Sequence, residues 1–181
     1  MPVTRTRLSP EEALERVQSA VGSRARNVRL NFEQVDLVCE PDGLVEVVSA
    51  LRDDPGLRCR FFTFLSGVDR SQFGDKGGGL EVLIHLYSPD NVLHCNVHVP
   101  VADNEPRCPS ISALFSGALW HERECHEMFG VDFEGHPRLS NLYLPEDFEG
   151  HPLRKSFKLP SRSVKEWPGA KDPEEAAAGG R

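Results

Sequence analysis

Residues 80–99 leave this chain the least conformational freedom. The stretches 80–87 and 92–99 both have strand composition, and Ser88-Pro89-Asp90-Asn91 between them has turn composition, so an antiparallel hairpin is the simplest connection. In its second strand Leu93, Cys95, Val97 and Val99 alternate with His94, Asn96 and His98. A strand so patterned has one buried face and one polar face, and therefore belongs to a sheet covered on one side.

The covering layer is legible nearby. Ser9-Pro10-Glu11-Glu12 combines a hydroxyl N-cap, a proline at the first helical position and a glutamate able to close a capping box. Leu14, Val17 and Val21 follow as an apolar stripe, and Gly22 ends the segment. Alternation across Gln34-Val35-Asp36-Leu37-Val38 predicts a strand, and Pro41-Asp42-Gly43 leads into a second helix with Leu44, Val47, Val48 and Leu51 on one face. Asp53-Asp54-Pro55-Gly56 stops that helix, and a further strand is predicted over 60–68. A short helix is expected to start at Ser110 or Ser112, and another to run from Trp120 to Phe129 with Gly130 as its left-handed cap. The fold class is thus α+β, a two-layer domain with helices on a mixed or antiparallel sheet. Its organisation reads as a helical lead-in over 1–27, the α+β domain over 28–134, an extended segment over 135–160 where prolines replace periodicity, and a tail over 161–181. That tail has too few apolar groups to offset its ordering entropy and is expected to be mobile.

Composition excludes several functions. A formal charge of −7 opposes general nucleic-acid binding, which needs a positive surface. No uncharged apolar run approaches the roughly 18 residues of a membrane span, and the first twelve residues lack the apolar core of a secretory signal, so a cytosolic location is expected. The five cysteines, at 39, 59, 95, 108 and 125, contain no C-x-x-C pair, the usual spacing for zinc or an iron–sulfur cluster. Cys39 and Cys95 lie in strand-like apolar surroundings, where a free thiol behaves as a small buried hydrophobe. The glycine-rich 74–79 stretch lacks the lysine and the helix of a phosphate-binding loop and reads as a connector.

Two local motifs stand out. His121-Glu122-Arg123-Glu124-Cys125-His126 approaches the H-E-x-x-H zinc helix, but its histidines are five apart and lie about 140° from one another around an ideal helix. A charged helix surface is the plainer reading. The hexapeptide Asp132-Phe133-Glu134-Gly135-His136-Pro137 recurs fifteen residues later as Asp147-Phe148-Glu149-Gly150-His151-Pro152. Each copy suits a turn: glycine permits positive φ, and proline pushes the preceding histidine towards extended geometry. Paired histidines for acid–base work would be the sharper reading, but no nucleophile or second carboxylate motif accompanies them. Leu153-Arg154-Lys155 then adds adjacent positive charge ahead of Phe157 and Leu159.

Taken together, Trp120-His121-Glu122-Arg123-Glu124, Met128-Phe129-Gly130-Val131, Gly135-His136-Pro137 and Gly150-His151-Pro152-Leu153-Arg154-Lys155 resemble the signature of the 30 kDa subunit family of respiratory complex I. The resemblance spans about residues 28 to 160. Glu127 stands where that family usually has aspartate, and Ser156-Phe157-Lys158 where it usually has Asp-Phe-Pro. The resemblance implies a cofactor-free subunit of a proton-translocating NADH:quinone oxidoreductase, peripheral on the cytoplasmic side of the cell membrane and touching that membrane only through the complex. FMN, Fe-S clusters and quinone would sit in partner subunits, and the partners would be the one that reduces quinone and the neighbouring Fe-S subunits. It further implies that Trp120, Glu122, Arg123, Glu124, Phe129, Gly130, Gly135, His136, Pro137 and 150–155 (Gly150, His151, Pro152, Leu153, Arg154, Lys155) form the partner-binding signature. Glu122, Arg123 and Glu124 would form a charged cluster that pairs internally, with Arg154-Lys155, or with a partner, and residues 135–159 would embrace neighbouring subunits. The alternatives are the equivalent subunit of a membrane-bound hydrogenase or other related assembly, and a free-standing zinc hydrolase using the 121–126 helix.

Overall fold

Ser9 receives the Glu12 N–H at 3.2 Å while the Glu12 carboxylate receives the Ser9 N–H at 2.9 Å, so the capping box forms and starts helix α1, Pro10–Val21. The computed structural model describes residues 8–73 and 78–159, so the expectation for 161–181 and most of the 74–79 connector lie outside the described residues. Helix α1 buries Ala13, Val17 and Val21, whereas Leu14 is only partly covered. Strands β1 (Ala25–Asn31) and β2 (Gln34–Cys39) pair antiparallel. Helix α2, Leu44–Asp53, seats Leu44, Val47, Val48 and Leu51 in the core, as its periodicity requires. Each such buried aliphatic side chain contributes roughly 1.5–3 kcal/mol.

Strands β3 (Phe61–Asp69), β4 (Leu80–Ser88) and β5 (Leu93–Pro100) complete a five-stranded sheet of order β1-β2-β5-β4-β3. The β4–β5 hairpin forms as predicted, and β2 lies parallel to β5, which makes the sheet mixed. Leu37, Val97, Ile84 and Leu65 sit in register across four strands and point into one core shared with all three helices. The opposite face carries Asp36, Asn96, His85 and Phe64 in the matching row.

Beyond the sheet come β6 (Arg107–Pro109), helix α3 (Ala118–Phe129) and β7 (Asp132–Glu134), with β6 and β7 paired in parallel. Gly130 ends α3 at φ 75°, the left-handed cap the sequence predicts.

Three local expectations are corrected. Residues 25–27 belong to β1 rather than to a helical lead-in; a register shift between Arg26 and Arg29 breaks the period-two signal that would reveal the strand. The helix expected at Ser110 or Ser112 is a hydrogen-bonded turn, with the Leu114 and Phe115 N–H groups on the Ile111 carbonyl, because Ser110 and Ile111 are committed to the Glu122 carboxylate. Helix α3 starts at Ala118, two residues before the expected Trp120.

The five cysteines are free and buried. Burial, with the Glu40 carboxylate nearby, pushes the Cys39 thiol up to about 12. Burial likewise raises Cys125, helped by Glu124 and Glu122. Thiols of this kind stay protonated and pack as hydrophobes.

Candidate partner-binding site

The unusual geometry of the chain gathers around α3, and the two copies of the repeated hexapeptide explain it. In the first copy Gly135, at φ 85°, turns the chain after β7 and inserts His136 beneath α3, where its side chain is 1% exposed. The Arg138 N–H donates to His136 Nδ1 at 3.0 Å, which leaves the ring proton on Nε2, and Nε2–H donates to the Leu119 carbonyl at 3.1 Å. In the second copy Gly150, at φ 91°, places His151 at the other end of the helix. There Nδ1–H donates to the Glu127 carbonyl at 3.0 Å, and the ring occupies the space that a side chain on Gly130 would fill.

The last turn of α3 is thereby fully satisfied. A helix end leaves four carbonyls without intrahelical donors. Here His126 O accepts from the Gly130 N–H (2.8 Å), Glu127 O from His151, Met128 O from the Leu153 N–H (3.1 Å) and Phe129 O from Arg154 Nε–H (2.5 Å). Arg154 also reaches the Asp103 carbonyl at 3.2 Å, and the Lys155 N–H donates to Asp69 Oδ2 at 2.7 Å. Residues 151–155 therefore close like a clasp over the helix end.

Residues 135–159 run back along α3 as a strap; Glu122 of the α3 motif faces inward, and Arg123 and Glu127 face the strap. Glu122 is fully buried and receives the Ser110 hydroxyl at 2.6 Å and the Ile111 N–H at 2.8 Å; burial raises its carboxyl above the ordinary range, against the opposing effect of those donors and His136. Arg123 spans to the carbonyls of Ser140 (2.8 Å) and Asn141 (2.6 Å), and its guanidinium lies 5.1 Å from the centre of the Trp120 ring. Four residues on, Glu127 turns its carboxylate to the N–H groups of Leu142, Tyr143 and Leu144, at 3.1, 2.9 and 2.5 Å. Burial pushes the Glu127 carboxyl up, but these three donors and Arg123 outweigh it and hold the group below the usual glutamate range. Glu124 is partly exposed beside Cys125. Phe129 is buried against Gly67, whose missing Cβ makes room for the ring.

Each signature residue now has a place. Glu122, Arg123, Phe129, Gly130, His136, His151 and Arg154 are used within the chain, Gly135 and Gly150 supply the two turns, and among the described residues no ion pair joins 122–124 to Arg154 or Lys155. Trp120 and Pro137 border a recess of about 220 Å³. Pro152 is half-buried, and Leu153 and Lys155 are exposed. Three large apolar side chains face outward here: Trp120 of α3 is 59% exposed, and Tyr143 and Leu153 of the strap 64% and 51%. Glu127 and Asp69 are anchors that motif reading misses. The available signal for Glu127 was its i+4 relation to Arg123, which puts both on the strap side of α3.

His121 and His126 are also engaged with backbone. His121 Nδ1 lies 3.1 Å from Leu65 O on the outer strand β3, and His126 Nδ1 donates to Val131 O at 2.8 Å. Among the described residues no group of three His, Cys, Asp or Glu side chains is placed to hold a metal, and no helix is long and apolar enough to cross a membrane.

The sequence model of the family described as respiratory-chain NADH dehydrogenase, 30 Kd subunit, matches residues 37–163. An NADH-quinone oxidoreductase subunit from Roseiflexus sp. (strain RS-1) is 38% identical over 151 residues, 83% of this chain and 85% of that protein. Its counterpart from Mycolicibacterium gilvum is 36% identical over 168 residues, 90% of this chain and 73% of that protein. Among solved structures, a chain of the membrane-bound sulfane sulfur reductase (MBS), an archaeal respiratory membrane complex, superposes with a TM-score of 0.66 at 22% identity, covering 82% of this chain and 85% of that one. The trypsin-resistant fragment (1–134) of Nqo5 superposes at 0.55 and 23% identity, covering 70% and 99%. At these identities the two structures establish the fold alone.

Proposed function

Because the chain belongs to the 30 kDa subunit family of respiratory-chain NADH dehydrogenases, also called NADH-quinone oxidoreductases, we propose that it works as a cofactor-free binding subunit in the peripheral arm of a proton-translocating NADH:quinone oxidoreductase. In this reading electrons pass from NADH through FMN and Fe-S centres to quinone in partner subunits. This chain sits on the cytoplasmic side of the cell membrane, where it holds the quinone-reducing partner and the neighbouring Fe-S subunits in place. The observation that carries the reading is the division of labour around α3: buried and backbone-bound signature residues fix the strap, while Trp120, Tyr143 and Leu153 are left facing out. Aromatic anchors on a preorganised support are the side chains that dominate protein interfaces, since little ordering entropy remains to be lost on binding.

The test is affinity purification of the tagged chain from membranes in mild detergent, with mass spectrometry of what accompanies it. The expected result is co-recovery of flavin and Fe-S subunits, and loss of that recovery when Trp120 and Tyr143 are both changed to serine. Recovery of the unaltered chain as a lone monomer overturns the proposal. A second reading, the equivalent subunit of a related membrane assembly with another electron donor, is favoured by the fold likeness to the MBS chain. Neighbouring genes separate the two: an NADH-binding flavoprotein supports the first, a nickel-ligating large subunit the second.

A further inference from the structure

The strap reaches one end of the sheet, where Asp69 and Asp103 receive it. The opposite end is shaped by features the strap does not use. There the β1–β2 hairpin turns through Phe32-Glu33, the β4–β5 hairpin turns just before Leu93, and β3 begins. The parallel register of Val35 with Cys95 brings Phe32 and Val92, each three residues earlier, to this same rim. Tyr87 pairs with His94 on one side and Phe61 on the other, with ring centres 4.5 and 6.4 Å apart, so an aromatic row runs along the uncovered sheet face beside the rim.

Two observations mark the rim. The first is exposed apolar surface: Phe32 is 93% exposed, Phe61 55% and Val92 38%. The second is backbone strain. Of the five non-glycine residues with positive φ among those described, four lie here: Phe32 (48°), Glu33 (60°), Arg58 (52°) and Val92 (54°). A β-branched valine in this region is an outlier, and a two-residue hairpin turn with both φ positive ordinarily takes Asn-Gly rather than Phe-Glu. Neither choice helps the isolated fold. Strain held in place by surrounding structure is found at ligand clamps and binding sites.

We infer that this rim is a second docking surface, at which Phe32 enters an apolar pocket on a neighbouring protein subunit. The inference rests on the proposed role inside a multisubunit assembly and adds a contact at the end of the sheet remote from the clasp. The occupant is a protein because the charges near the apolar centre are of both signs, Glu33 and Asp90 with Arg58 and Arg60, and Arg58 pairs with Asp90 at 3.1 Å. An apolar centre in a rim of mixed charge is the anatomy of a protein interface, whereas a surface for anionic lipid would be basic.

Site-specific photo-crosslinking in intact membranes tests this, with a benzophenone amino acid placed at residue 32 and, separately, at residue 143 of the full chain. Both positions are expected to capture protein subunits of the assembly. Capture at 143 with none at 32 overturns the rim surface and leaves the assembly role standing, and so does capture at 32 of phospholipid or of a second copy of the chain. Capture at neither position overturns both. Phe32→Gly adds a second readout, because glycine relieves the turn while deleting the anchor. It is expected to raise the melting temperature of the purified chain and to weaken its retention in the complex by about tenfold or more, as loss of a buried aromatic anchor does. A variant that is retained undiminished overturns the inference.

Discussion

Gly130 meets two requirements at one position: a left-handed φ of 75°, and an empty Cβ site that the His151 ring occupies. Gly130→Ala is therefore expected to cost about 2 kcal/mol, since the left-handed conformation alone costs an L-residue about 1–2 kcal/mol. It should also free His151, which denaturant unfolding and faster amide exchange at Leu153 and Lys155 would report. The two buried glutamates of α3 respond to pH in opposite senses. The folded Glu127 carboxyl ionises below its ordinary 4.5, so the stability it adds is complete above that value and is lost as pH falls through the lower folded value. Glu122 is raised, so its ionisation works against the fold as pH climbs through its folded value. Glu127→Gln should accordingly flatten the loss of stability below about pH 4.5. An unchanged acid limb in urea titrations at several pH values would dismiss Glu127 as the source.

At the scale of elements, the strap is pinned at points rather than paired along its length: 136–138 under α3, 140–141 on Arg123, 142–144 on Glu127, and 151–155 at the clasp. Amide exchange on the isolated chain is expected to show protection at those points and little between them, with protection over 135–159 rising in the complex. Equal protection in both states would remove the strap from the interface. Ser9→Ala tests the other end of the chain, where losing the capping box should cost α1 about 1 kcal/mol. Elements set by local rules were legible in the sequence: the α1 cap, the α2 stripe, the β4–β5 alternation and the Gly130 stop. Those set by distant partners were not. β1 hides behind a register shift, and β6 and β7 are three residues each and exist only because each pairs with the other. The same divide runs through the site. The motif residues could be picked out, but their partners, a carbonyl at Leu119, a hydroxyl at Ser110 and the amides of 142–144, are backbone and tertiary features with no residue-type signature.

At the scale of the whole molecule, the charged residues Glu122, Arg123 and Glu127 of α3 are tied within the chain, while Trp120, Tyr143 and Leu153 beside them face outward. Truncation after residue 134 is expected to abolish co-purification with partner subunits and to lower the stability of the remaining domain, because it strips donors from the α3 carbonyls and orphans Glu127. Retention of the truncated chain in the assembly would show that the strap is dispensable. The clasp also sets an order of events during synthesis. Helix α3 ends at residue 129, but Glu127, Met128 and Phe129 receive their donors from residues 151–154. While the chain is still being made, the ribosome must deliver more than twenty further residues before that last turn can close. The segment proposed to hold partners is thus among the last parts of the described chain to take shape, after the sheet on which it rests.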